Sequence, residues 1–231
     1  MKKILVYSLL IAGITLPLSA NAFNWSSINN QTKNIRQKVI ETRYSPVSET
    51  STIKVLNQLK NELTTTDAAV QNSFLSIVSA LSSKDETDNI TTKLNSILND
   101  SMLSDTYRTN EVNSLMSSFT SSMLANQGYV ISAIAGMSNS QKLQLLNNFK
   151  SLAKCGYKYS DIAAQYMKIA SVMSLTSAEF PSSAISVNTL KDNAESLKNS
   201  VKTINDLITQ TSAISKMAGF NSIGSILNLI K

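Results

Sequence analysis

From Val187 to Thr211, the residues Val187, Leu190, Ala194, Leu197, Val201, Ile204, Ile208 and Thr211 stand alternately three and four positions apart. An α-helix turns once in about 3.6 residues, so this spacing draws the eight side chains into one stripe along a single face. A stripe held for more than three heptads marks a helix that packs along its length against another. Leu56, Leu59, Leu63, Thr66, Val70, Phe74, Ile77 and Leu81 form a second such seam. The pattern predicts two long helices, near 50–82 and 186–216.

Little in the chain opposes helix. There are 6 Gly and 3 Pro in 231 residues, and the period-two alternation of strands is nearly absent. A further helix is expected over 24–42, with Trp25, Ile28, Ile35 and Val39 on one side. It ends before Pro46, because the residue preceding a proline is pushed out of the α region. Shorter helices are expected between the long ones. One holds Ile90, Leu94, Ile97 and Leu98, after a break at Ser83–Asp88 in which Asp88 serves as the cap. The next holds Val112, Leu115, Met116, Phe119 and Met123 and stops near Gly128. The apolar run Tyr129–Met137 follows. Ser140 then opens a helix through Leu143, Leu146, Phe149 and Leu152 that Gly156 closes. Ser160 and Asp161 open another, with Ile162, Tyr166, Ile169 and Met173. Pro181 makes the last strong break, and a final amphipathic helix holds Phe220, Ile223, Leu227 and Ile230. The fold class is therefore all-α: an elongated helical bundle, with two long coiled-coil-like helices bracketing a smaller lobe of short helices at roughly 88–178.

The start of the chain reads as a secretory signal. Lys2 and Lys3 form a positive region, an apolar run extends from Ile4 to Leu18, and Ala20 and Ala22 supply the small residues of a cleavage site. The apolar run contains Gly13 and Pro17 and is shorter than the ~20 residues a membrane span requires. The expected mature protein is one helical domain from Phe23 to Lys231, periplasmic or extracellular.

The residue inventory restricts the chemistry. The chain has no histidine, which removes Ser-His and Cys-His nucleophile systems and every histidine-containing zinc site. Its one cysteine, Cys155, excludes an intramolecular disulfide. The expected Cys155 is a buried, inert thiol, although Lys154 and Lys158 beside it are of the kind that lower a thiol pKa. Asp85, Glu86, Asp88 and Asn89 have calcium-ligand chemistry. However, their loop lacks the glycine of an EF-hand turn, and Ser96 stands where its bidentate Glu belongs. No cofactor, metal or catalytic residue is expected. An enzyme without histidine would have to use paired carboxylates or a Ser–Lys dyad, neither of which is singled out by spacing.

Charge is sparse and interleaved. Charged residues are 16% of the chain against about a quarter in ordinary soluble proteins, with Ser, Thr and Asn supplying the polarity. The mild basic excess does not point to nucleic acid. Residues 49–111 hold five basic and nine acidic side chains, whereas residues 142–168 hold five Lys and one Asp. Residues 112–141 carry no charge at all, but 14 of these 30 are Ser, Thr, Asn or Gln. Packing within a bundle or against a partner suits that stretch better than membrane insertion.

In outline, the chain resembles the minor pilin subunits of type IV secretion and conjugation systems, which are exported, of similar length, and built from long helices with a small helical lobe. The resemblance implies an assembly component and assigns no residue. The leading expectation is a non-enzymatic helical interaction or structural protein of the bacterial envelope, meeting a protein partner or another copy through helix surfaces. Leu197, Val201, Ile204, Ile208, Met116, Phe119, Met123 and Tyr129 are the candidate interaction residues. The alternatives are a membrane-active toxin or effector using residues 112–141, and a small envelope enzyme.

Overall fold

The structure, a computed structural model, describes residues 49–176 and 186–229. The expected signal segment 1–22, the helix expected over 24–42, the expected break at Pro181 and Ile230 lie outside the described residues. Six α-helices and one 3-10 segment make up nearly everything described, and no strand occurs among these residues. They are α1 (Glu49–Leu81), α2 (Lys84–Asn99), α3 (Asp105–Ala125), α4 (Gln127–Gly136), α5 (Asn139–Thr176), α6 (Val187–Met217) and the 3-10 segment Ser222–Leu229.

Serine sets where four of these helices begin. Ser83, Ser104, Ser138 and Ser186 each stand just before a helix, and each hydroxyl accepts the backbone N–H three residues on, at 3.0–3.3 Å. That bond satisfies one of the amide groups that a first helical turn leaves without a partner. At Ser138 the arrangement is reciprocal, because the Gln141 side-chain oxygen accepts the Ser138 N–H at 2.9 Å. Two expected caps are thereby corrected. Asp88 and Ser140 lie inside helices, and Ser83 and Ser138 perform the capping.

Where the spacing predicts two helices, over Leu143–Leu152 and Ile162–Met173, the structure has one. α5 runs unbroken for 38 residues, about 57 Å, through Gly156, Ser160 and Asp161. A mid-helix glycine costs about 1 kcal/mol, too little to end a helix whose stability comes from packing along both sides. The span expected as a lobe of short helices thus contains the longest one. Gly128, expected as a stop, lies in the first turn of α4. The final helix is also corrected: Ser222–Leu229 is 3-10, and Phe220 precedes it.

α5 packs against both seamed helices, α1 and α6, and α3 lies along α6. Both seams face inward. Leu59, Thr66, Val70, Phe74, Ile77 and Leu81 of α1 are buried, as are Leu190, Ala194, Leu197, Ile204, Ile208 and Thr211 of α6. Phe74 meets Phe119 of α3 edge to face, with ring centres 5.7 Å apart. Just beyond α6 lies Gly219, whose φ of +76° is the left-handed conformation a side chain resists. The Gly219 N–H donates to the Lys216 carbonyl at 3.0 Å, and the Phe220 N–H to that of Ser215 at 2.8 Å. This double bond pattern closes the helix and turns the chain back. Ile223 and Ile226 of the 3-10 segment are then buried, in a segment that packs against α5 and α6.

Candidate functional site

Hydrogen bonds between side chains far apart in sequence join the helices. The Ser122 hydroxyl of α3 donates to Glu86 Oε1 of α2 at 2.6 Å. Ser196 of α6 donates to Asn110 Oδ1 of α3 at 2.8 Å, and Thr106 of α3 bonds Asn193 of α6. The fourth link leads to the most unusual chemistry in the molecule. The Tyr159 hydroxyl of α5 donates to Asp67 Oδ1 of α1 at 2.6 Å.

Asp67 follows the seam residue Thr66, so its carboxylate lies at the edge of the buried face rather than in open solvent. Burial pushes its carboxyl up to about 6. The Tyr159 hydrogen bond and the Arg108 charge oppose that rise, while the Asp105 charge adds to it. Tyr159 is itself buried, and burial followed by the nearby Asp67 charge moves its phenol well above the usual range.

Asp67 and Tyr159 form part of the wall of a cavity of about 40 Å³, together with Gln71, Arg108, Asn113 and Ser200. Arg108 is the one arginine among the described residues. It reaches from α3 to the preceding loop, donating through Nη2 to the carbonyls of Asp100 and Leu103 at 3.0 and 3.3 Å. Nη1 lies 3.3 Å from Asp105 Oδ1. Its Nε is buried without a protein partner, and so is Nδ2 of Asn113, a residue only 9% exposed. Two unsatisfied N–H donors thus belong to residues that line one small polar space. A water needs about 10–15 Å³ measured this way, so the cavity has room for a few waters and for little else.

Two wider clefts lie elsewhere. One of about 220 Å³ has Leu56, Leu63, Tyr166, Leu190 and Leu197 in its lining, with Lys60 also contributing. The other, of about 360 Å³, is lined without charge by Ser76, Ser79, Gln141, Gln144 and Asn148 among others. No group of three or more His, Cys, Asp or Glu placed to hold a metal occurs among the described residues. Asp85, Glu86 and Asp88 sit in the first turns of α2, where the carboxylates complement the helix dipole. Cys155 is buried, and burial raises its thiol pKa against the opposing Lys158 charge, which makes it a poor nucleophile.

The candidate interaction residues separate by burial. Met116, Phe119, Met123, Leu197, Ile204 and Ile208 are core, where they hold this chain's own helices together. Val201 is half-buried and packs on that core. Tyr129 alone is on the surface, 52% exposed. It shares one end of the molecule with exposed Leu124 and Met217, because Gln127 Nε2 lies 3.6 Å from Met217 Sδ and joins the α3–α4 elbow to the end of α6. α3 buries Val112, Leu115, Met116, Phe119 and Met123 against its neighbours. Among the described residues no helix is long and apolar enough to cross a membrane.

Comparison with known protein families, curated proteins and solved structures finds no match.

Proposed function

We propose that this chain is a non-enzymatic, exported helical interaction or structural protein of the bacterial envelope or exterior, a component of a surface or secretion assembly. One observation carries most of the reading. The polar and titratable groups around Asp67 and Tyr159 surround only a water-sized recess and hydrogen-bond one helix to another, which suits a joint between helices better than a substrate site. A second observation supports a docking role. Leu124, Tyr129 and Met217 stand exposed at one end of the molecule, and the first two belong to the charge-free stretch 112–141. Exposed aromatic and apolar groups suit contact with another protein.

Two measurements test this. Fractionation with N-terminal sequencing should find the protein outside the cytoplasm beginning at Phe23; cytoplasmic protein retaining residues 1–22 would refute export. Cross-linking in intact cells should give a discrete adduct that Tyr129→Asp and Leu124→Asp abolish while circular dichroism stays unchanged. An adduct pattern indifferent to both changes would refute docking through this end.

A further inference from the structure

Two faces of opposite charge lie on opposite sides of the bundle. α5 packs on α1 and α6, and these two helices stand between it and the pair formed by α2, which packs on α1, and α3, which packs on α6. α5 carries five lysines and one aspartate in its 38 residues. A helix advances about 100° per residue, so Leu143, Lys150, Lys154, Tyr157 and Lys158 fall within about 100° of arc and form one stripe about 22 Å long. Lys154 and Lys158 are exposed and Lys150 is half-exposed, with Leu143 and Tyr157 exposed among them. These three lysines have no acidic partner among the described residues, and Asp161, on the same stripe, accepts a hydrogen bond from Gln165. The other side is acidic. From Lys84 to Ala125, α2, α3 and the loop between them hold six acidic and three basic side chains. Asp85, Asp88 and Asp100 are exposed at the two ends of α2, which is about 24 Å long. Beside Asp100, Met102 is 91% exposed, and Tyr107 is exposed in the first turn of α3. Each face thus sets one aromatic and one aliphatic group among charges of one sign.

We propose that these faces join copies of this chain front to back, with the lysine stripe of α5 in one copy lying on the α2–α3 side of the next. Charge decides between the possible pairings. Two copies meeting α5 to α5 would set Lys150, Lys154 and Lys158 against the same lysines, and two acidic faces would repel in the same way. Only the unlike pairing brings opposite charges together while covering Leu143 and Tyr157 on one side and Met102 and Tyr107 on the other. A contact between two different surfaces is heterologous. Because the two surfaces lie on opposite sides of one copy, each copy uses both at once, and the product is an open chain rather than a closed dimer. Exposed ion pairs contribute about 0–1 kcal/mol each, so the charges set orientation and the four apolar groups supply the contact area. The inference rests on the assembly role proposed above and names a second copy of this chain as the partner, through surfaces separate from the Leu124, Tyr129 and Met217 end.

Sedimentation velocity on the purified protein tests this. At about 20 mM salt the mass should grow past the dimer as protein concentration rises, and at about 0.5 M salt it should fall towards the monomer. The double variant Lys154→Gln, Lys158→Gln and the double variant Asp85→Asn, Asp88→Asn should each remain monomeric at low salt with an unchanged circular dichroism spectrum, since all four side chains are exposed. Mixed together, the two variants should form one-to-one pairs that do not grow, because each supplies the face that the other lacks. A wild-type protein that stays monomeric at low salt, a dimer that does not grow, or assembly that both variants retain would overturn the proposal. Lysine-dependent sedimentation with phosphatidylglycerol vesicles by a protein that stays monomeric would also overturn it and assign the stripe to a membrane surface. None of these outcomes bears on the export and end-docking measurements above.

Discussion

On either side of Gln71, α1 is held in place by different means. Beyond Gln71 it is dry: Phe74, Ile77, Val78 and Leu81 are almost wholly inaccessible, in a core that includes Phe119, Leu94 and Ile134. Before Gln71, Asp67 and Val70 border a polar cavity, and the Tyr159 hydroxyl donates a short hydrogen bond to Asp67. α3 divides the same way, with Arg108 and Asn113 on the wet side and Phe119 and Met123 on the dry side. Apolar packing is non-directional and insensitive to pH, whereas a buried carboxyl makes part of the stability depend on protons. Stabilisation by the dry region is therefore indifferent to pH, whereas the buried Asp67 carboxyl adds a contribution that depends on it.

The largest effect expected from breaking this contrast is in the dry half. Phe119→Ala removes a buried ring and its edge-to-face partner contact with Phe74. Such truncations cost about 3–5 kcal/mol, and urea unfolding should show that loss equally at pH 5 and pH 7.5. A loss below about 1 kcal/mol would mean that this packing does not hold α1 to α3.

Asp67→Asn should act in the opposite direction. The folded protein binds the Asp67 proton more tightly than the unfolded chain does, since the carboxyl lies at about 6 rather than 3.8. Its contribution to stability is therefore greatest at low pH, declines as pH rises from about 3.8 to about 6, and is constant above that. Asparagine retains an acceptor for the Tyr159 hydroxyl and removes the buried charge. The variant should gain up to about 3 kcal/mol at pH 7.5 and nothing near pH 3.5, which flattens the wild-type decline. Equal wild-type and variant stability at both pH values would place the Asp67 charge in good solvent.

Tyr159→Phe should have a smaller effect. It deletes the donor to Asp67, and a lost hydrogen bond to a charged acceptor costs about 1.5–3 kcal/mol. Because that bond holds the carboxyl down, its removal should also move the Asp67 midpoint above about 6. An unmoved midpoint would show that burial alone sets it.

The dry half was legible in the sequence because its information is periodic. Phe74, Ile77 and Leu81 recur at helical spacing, and α1 and α6 appear where their seams predict them. The wet half was not. Asp67, Arg108, Asn113 and Tyr159 come from three helices and share no local spacing; only the tertiary fold brings them together. The one signal in the sequence was Arg108, a lone arginine in a segment whose other cations are lysines. It anchors the loop before α3 through two backbone carbonyls, which a guanidinium fork does better than an ammonium. Periodicity also misled at the candidate interaction residues. A seam identifies a buried stripe without saying whether the covering helix belongs to the same chain, and here Leu197, Ile204 and Ile208 are covered from within.

Gly156 gives the smallest and most discriminating test, because the sequence reading and the structure assign it contrary roles. As a helix stop it would require a left-handed conformation, and alanine there would be destabilising. In mid-α5 it is an ordinary helical residue where α5 approaches α6. An added methyl would lie 3.5 Å from Ile204 Cγ2, a normal contact that requires no neighbour to move. Alanine also surrenders less backbone entropy on folding than glycine does. Gly156→Ala should therefore stabilise the protein by about 0.5–1 kcal/mol, seen as a higher urea midpoint with unchanged slope. The gain should be the same at pH 5 and pH 7.5, because the substitution adds no titrating group. A destabilisation of similar size would mean that α5 is interrupted at this position and that α1 and α6 do not share one continuous helix.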